Sequence, residues 1–330
     1  MNNKISEHQA IENLTRQTDY RGLCAHLIAA IGSMTEGKAT LFEAHDEEGK
    51  GDLAALELQK IVLRVFPESQ NLEHPDWLGT AIIQSSEIID PEPLLVEDSQ
   101  QVVLNIGNLN GISRFLHIDC KIERELQATI QYLVTVFRNL LTLLDRFERD
   151  ALTGLLNRQS FHYRFEDLLE HHQRNPHRTQ RTDTTPWLAI IDIDRFKTIN
   201  DNFGHLFGDE ILLLTARLIQ ECFRFDDLTF RYGGEEFIII LNNTDTSGAQ
   251  LALERFRKKI ETYDFPTVGS VTVSIGWSLV RPQEAANSII HRADRALYHA
   301  KALGRNQTVS FEQSFGELDT EDNSEIEIFK

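Results

Sequence analysis

RYGGEEF, residues 231–237, places two glycines and two acids between short apolar runs. LTFRY before the glycines and FIIIL after the acids are aromatic and β-branched, so the segment predicts a β-hairpin with Gly233, Gly234, Glu235 and Glu236 at its tip. Turn chemistry accounts for the glycines, which tolerate the positive φ of tight turns, and solubility accounts for the acids. A second pair of acids argues for more. WLAIIDI (187–193) reads as a buried strand, and Asp192 and Asp194 at its end lie two residues apart, hence on one face. Like charges so placed are costly unless a cation sits between them. Asp192 and Glu235, with Lys197 nearby, offer hard oxygen ligands from two adjacent strands, the kind Mg2+ accepts in phosphate chemistry.

The elements that must hold these residues alternate over 187–311. After WLAIIDI come a helix (DEILLLTARLIQECF), the hairpin, a helix (TSGAQLALERFRKKIE) and a strand (VTVSIGWSLV). A helix stopped by Gly304 and a last strand (QTVSF) complete the series. HHQRNPHRTQRTDTTP (171–186) reads as a loop. Asp209 near a helix N-terminus suits the dipole or caps it, and Lys301 and Arg305 near a helix C-terminus suit the opposite end.

Upstream, residues 8–34 predict one helix with Leu23, Leu27 and Ile31 on a stripe, followed by a strand (ATLFEAHDE) and a second amphipathic helix (52–66). Strands broken near 108–111 close a small α/β sensor-type module over 1–120. Over 121–149, Leu126, Ile130, Leu133, Phe137, Leu140, Leu144 and Phe147 recur in steps of four and three. This 3.5-residue mean predicts a dimeric coiled-coil linker helix, or a long helix packed on its own domain. Residues 150–312 form the second domain, and 313–330 read as an acidic disordered tail.

The 330 residues suffice for two cores, and 41% hydrophobic with 25% charged residues is a globular composition. A net charge of −18 argues against a nucleic-acid-coating protein, so an anionic ligand must be held by local cations and a metal. No apolar signal core and no membrane-length run stand in the sequence, which places the chain in the cytoplasm without a membrane partner. Cys24, Cys120 and Cys222, far apart and odd in number, read as free thiols.

DALTGLLNR (150–158), DIDRFKTINDNFGHLFGDE (192–210), RYGGEEF, VTVSIGW (271–277) and ADRALYHAKALGRN (293–306) resemble the successive signatures of GGDEF domains. The resemblance implies a diguanylate cyclase that condenses two GTP into cyclic di-GMP, on a palm-like α/β fold shared with nucleotide cyclases. It implies that Asp192, Glu235 and the carbonyl of Ile193 bind two Mg2+ ions, with Mn2+ a possible substitute. Glu235 would take the 3′-hydroxyl proton, and Gly233 and Gly234 would leave room for the nucleotide. Asn200 and Asp209 would read guanine, while Lys197, Lys301 and Arg305 would hold phosphates. Phe196 would position the phosphate loop through backbone amides or serve the core.

RFDD supplies Arg224 and Asp227 at the spacing of the family's product-inhibition motif, with Arg255 as an accessory ligand for cyclic di-GMP. A symmetric product needs two facing nucleotides, hence a homodimer. The first domain resembles a GAF-type sensor for an unknown ligand, with a PAS-like module as the alternative. The rival functions are a catalytically inactive receptor for GTP or cyclic di-GMP, a phosphodiesterase, for which the chain lacks a further domain, and a coiled-coil scaffold.

Overall fold

The computed structural model describes residues 6–35, 37–46, 61–66, 95–98, 101–109, 112–174, 185–224, 226–281 and 283–316. The chain divides into two units, Met1–Phe147 and Glu148–Lys330.

In the first unit, α1 (Glu7–Thr15) is capped by Ser6, whose hydroxyl accepts from Gln9 N at 3.3 Å. The single helix expected over 8–34 is two. Asp19 Oδ1 accepts from Gly22 N at 2.7 Å, and this cap starts α2 (Tyr20–Thr35) afresh. Five antiparallel strands follow: β1 (Ala39–Asp46), β2 (Ile61–Phe66), β3 (Leu95–Asp98), β4 (Gln101–Leu109) and β5 (Ile112–Ile118). They are ordered β2-β1-β5-β4-β3. The helix expected over 52–66 is therefore a strand at its end, as the β-branched run IVLRVF favours. Residues 52–60 lie outside the described residues.

The expected coiled-coil helix is α3 (Arg124–Glu148). Its seam residues Ile130, Leu133 and Phe137 are buried with Val134 and Leu141 in the first unit's own core, beside Leu23, Leu27 and Ile31 of α2. A heptad pattern reports an apolar face without saying which chain covers it. Toward the C-terminal end Leu143 and Phe147 are exposed.

The second unit is a six-stranded mixed sheet. Its strands are β6 (Leu156–Asn157), β7 (Thr185–Ile193), β8 (Leu228–Arg231), β9 (Glu236–Thr244), β10 (Val273–Leu279) and β11 (Thr308–Ser310), ordered β11-β10-β7-β9-β8-β6. The β10–β11 and β6–β8 pairs are parallel and the others antiparallel. α5 (Phe196–Phe203), α6 (His205–Cys222) and α7 (Thr246–Thr262) join the helices α4 (Arg158–Arg174) and α8 (Ala286–Ala302), and α9 (Phe311–Phe315) ends the described chain. β7 lies centrally and is buried on both faces. Trp187, Ala189, Ile191 and Ile193 pack with Ile211 and Leu212 of α6 and Leu253 and Phe256 of α7. Leu188 and Ile190 pack with Phe161 and Phe165 of α4 and Ala293 and Leu297 of α8.

Two boundaries move from expectation. α4 continues through residues 171–174, read as loop, and the rest of the expected loop up to Thr184 lies outside the described residues. α9 runs past residue 312 into the expected tail. Residues 317–330, its remainder, lie outside the described residues.

Candidate active site

The pleat of β7 sends Leu188, Ile190 and Asp192 to the face covered by α8. α8 approaches so closely because Gly276 of β10 has no side chain. A Cβ there would lie 2.0 Å from Leu297 N and 2.3 Å from Ala293 O. The last turn of α8 then brings Lys301 Nζ to 2.7 Å from Asp192 Oδ2. Lys301 thus does more than complement its own helix dipole.

Across the sheet, Asp192 pairs with Glu236 on β9 and with Ser274 on β10. Two carboxylates directly opposed on antiparallel strands repel. Glu235 sits one residue before β9, and its carbonyl accepts from Ile193 N at 3.3 Å, tying the hairpin tip to the end of β7. Burial pushes the Asp192 carboxyl above its usual range, and Lys301 only partly offsets this. Burial and the Asp192 charge raise Glu235. The same two causes raise Glu236 to about 6, with Asp294 of α8 adding to the repulsion. In the sequence Glu236 carried only the solubility of the turn, and Asp294 was not singled out. The signal available was the EE doublet itself, but only the strand register reveals that Glu236 faces Asp192.

The hairpin is held from outside by Arg231. Its guanidinium donates to Gly234 O at 2.9 Å and to Asp150 Oδ1 at 3.0 Å. Burial opposes the charge on Asp150, but hydrogen bonds from Thr153 and Arg231 outweigh it and hold the carboxyl below its ordinary value. Neither Gly233 nor Gly234 has a positive φ, so the turn does not demand glycine for its backbone. A Cβ on Gly233 would lie 2.5 Å from Glu236 Oε2, so a side chain there would push the Glu236 carboxylate aside. A Cβ on Gly234 would meet nothing within 4 Å, which leaves space above the tip.

Asp194 does not join Asp192. Its carboxylate accepts from Ser274 Oγ (2.6 Å), Thr272 Oγ1 (2.7 Å) and the N–H of Asn306 (3.0 Å). After it Arg195 turns the chain with φ 59° into α5. The first N–H groups of that helix, from Phe196 onward, have no acceptor within the helix. The Phe196 ring lies in the core, and Lys197 is exposed.

Asn200 lies on α5 with its Oδ1 buried and without a hydrogen-bond partner among the described residues. Gly208 makes room for it, because a Cβ there would lie 2.0 Å from Asn200 Oδ1. Asp209 is not a cap. α6 begins at His205 with Gly204 at the cap position, so Asp209 lies a full turn inside, exposed. Arg305 is exposed just beyond α8, and its charge helps lower the Asp192 pKa.

Farther along, Asp227 accepts from Arg224 N (2.9 Å) and Asn242 N (3.0 Å), which closes the turn before β8 and leaves Arg224 exposed. Burial raises the Asp227 carboxyl despite these bonds. Arg255 Nη2 donates to Cys222 O at 2.6 Å, two residues before Arg224.

Crowded carboxylates whose ionisation the fold resists, with a single lysine among them, are a donor set that a divalent cation fits. Among the described residues, no three His, Cys, Asp or Glu side chains close around one point, so such an ion would share its ligands with a carbonyl and a substrate. No described helix is long and apolar enough to cross a membrane.

Comparison with known proteins bears on this site. The family profile "Diguanylate cyclase, GGDEF domain" matches residues 147–307. Diguanylate cyclase A of Treponema denticola is 40% identical over 190 residues, 56% of this chain and 50% of that protein. The active GGEEF domain of a diguanylate cyclase from Vibrio cholerae is 35% identical, with 48% of this chain and 99% of that domain covered (TM-score 0.44). Residues 147–307 are a GGDEF domain. The coiled coil and GGDEF domain of DgcB from Caulobacter crescentus, solved in complex with c-di-GMP, is 29% identical. It covers 56% of this chain and 97% of that one, with a TM-score of 0.50. The mixed sheet is that of a GGDEF fold. The chain spans about half the length of the curated relatives it matches.

Proposed function

We propose that the second unit is a diguanylate cyclase, joining two GTP into cyclic di-GMP with release of two pyrophosphates. The observation that carries the reading is the Asp192–Lys301 ion pair with Glu236 opposite Asp192 and Glu235 at the hairpin tip, beside an open space over Gly234.

Asn200 and Asp209 would bind the guanine edge, the orphaned Oδ1 of Asn200 accepting from a ring or exocyclic N–H. Phosphates would lie along the α5 N-terminus, with Lys197, Lys301 and Arg305 supplying charge. Asp192, Glu235 and the carbonyl of Ile193 would hold two Mg2+ ions, or Mn2+, which lower the pKa of the attacking 3′-hydroxyl and neutralise the triphosphate. Glu235, its own charge resisted by burial and by Asp192, is suited to take the 3′-hydroxyl proton as that oxygen bonds to the α-phosphorus.

One site holds one GTP, so the working unit would be a symmetric pair of chains. The exposed Leu143 and Phe147 of α3 are where a coiled coil between copies would form. The first unit would act as a GAF-like sensor for an unidentified ligand, in the cytoplasm where GTP is available. Arg224, Asp227 and Arg255 would bind product and inhibit, Arg224 through its exposed guanidinium. Incubation of the purified chain with GTP and Mg2+ tests the reading: cyclic di-GMP and pyrophosphate in a 1:2 ratio are expected, and unaltered GTP would refute it. Product inhibition should vanish in Arg224→Ala, and unchanged inhibition would remove that site.

A further inference from the structure

The turn that closes α8 carries three successive residues in the left-handed region: Gly304 at φ 121°, Arg305 at 67° and Asn306 at 49°. Two of the three have side chains, in a conformation that L-residues adopt only when their surroundings enforce it. The enforcement is visible. Asn306 N donates to Asp194 Oδ2 at 3.0 Å, its Nδ2 donates to Glu261 Oε1 at 2.7 Å, and its Oδ1 accepts from Arg257 Nη1 at 2.6 Å. Arg257 is itself 8% exposed and fixed by Glu254 (2.7 Å) and Glu261 (2.9 Å). Asp194, equally buried, is anchored on β10 by Ser274 and Thr272. The end of β7, the start of β10 and helix α7 thus grip one asparagine. The residue before it, Arg305, donates its N–H to Ala300 O at 3.0 Å and carries an exposed guanidinium. Glycine at 305 would relieve the backbone, yet the chain keeps an arginine there.

We infer that Asp194, Arg257 and Asn306 are positioning residues, which hold Arg305 in the one orientation that meets the phosphates of the bound nucleotide. This assignment rests on the cyclase reading for what Arg305 meets. It also gives the second acid of DID a role of its own: both oxygens of Asp194 accept hydrogen bonds, one of them from Asn306 N.

The test measures binding by the full-length chain of two probes. One is a GTP analogue with a methylene group between the α- and β-phosphates, which cannot release pyrophosphate. The other is guanosine, which keeps base and sugar and lacks phosphates. Arg257→Ala and Arg305→Ala should each weaken the analogue about tenfold, as misplacement or loss of one phosphate donor does, and leave guanosine within about twofold. The double variant should bind the analogue no more weakly than Arg305→Ala alone, because both changes remove the same contact. Arg257→Lys, which keeps a donor for Asn306, should recover part of the loss. Additive losses, or an equal loss of guanosine, would overturn the positioning role, since a general loosening of the fold affects both probes. Should Arg257→Ala fail to fold, Asn306→Gly replaces it, accepting the left-handed backbone without the amide. Product formation by the wild type judges the cyclase reading separately. Product with additive losses sinks the positioning role alone, and coupled losses without product sink the cyclase while leaving the grip on Arg305 in place.

Discussion

Glu236 faces Asp192 across two antiparallel strands, and its carboxyl is raised from 4.5 to about 6, with Asp192 and Glu235 raised beside it. The folded chain therefore holds these protons more tightly than the unfolded one, and ionising Glu236 between its ordinary value and about 6 lowers the stability of the second unit. The proposed divalent cation among the acids would offset that repulsion. Added Mg2+ should thus raise the melting temperature more at about pH 7.5 than at about pH 5, where Glu236 holds its proton. Thermal unfolding at both values reads this out, and equal shifts at both would put the ion elsewhere. At this scale the sequence was informative about residue types: Asp192, Glu235, Asn200 and Lys301 could be picked out by motif, and the structure places Asp192, Glu235 and Lys301 together. It was silent on pairings. That Lys301 closes on Asp192, or that Asp194 accepts from Asn306, depends on how α8 and β10 pack, which no local pattern encodes.

Helix α8 carries Lys301 and is seated directly on the β10 backbone at Gly276. Gly276→Ala would drive a methyl group into the main chain of Ala293 and Leu297, neither of which can yield as a side-chain tip could. It should destabilise the second unit by about 2–3 kcal/mol and displace Lys301 from Asp192, with activity lost along with stability. A shifted denaturation midpoint at unchanged slope is the check, and an unchanged midpoint would contradict this seating. The strand and helix order of the second unit was legible because its apolar runs are long and alternate in period. The misreadings arose where local signals conflict. IVLRVF continues a helical stripe yet is β-branched, and Asp19 interrupts one apolar stripe with a cap. Gly276 sat unremarked inside a predicted strand, although glycine in a strand interior is itself a hint of close backbone approach.

For the molecule as a whole, a net charge of −18 and the proposed anionic substrate would be reconciled by local cations, Lys197, Lys301 and Arg305. On the cyclase reading the symmetric product requires two copies, and because Leu126, Ile130, Leu133, Phe137, Leu140 and Leu144 all pack on the first unit's own core, pairing through α3 would be left to Phe147 and Leu143 at its C-terminal end. Specific activity should therefore fall on dilution in step with the loss of dimer seen by analytical ultracentrifugation. Full activity in a strictly monomeric sample would exclude the shared site. The heptads could not reveal this division, because periodicity is the same whether a neighbouring chain or the same domain fills the seam. The most direct measurement compares wild type with Glu235→Gln, a near-isosteric change that removes the charge, for cyclic di-GMP formed from GTP and Mg2+. The account predicts turnover reduced at least about a hundredfold, with the melting temperature retained. Equal turnover in the two proteins would contradict it.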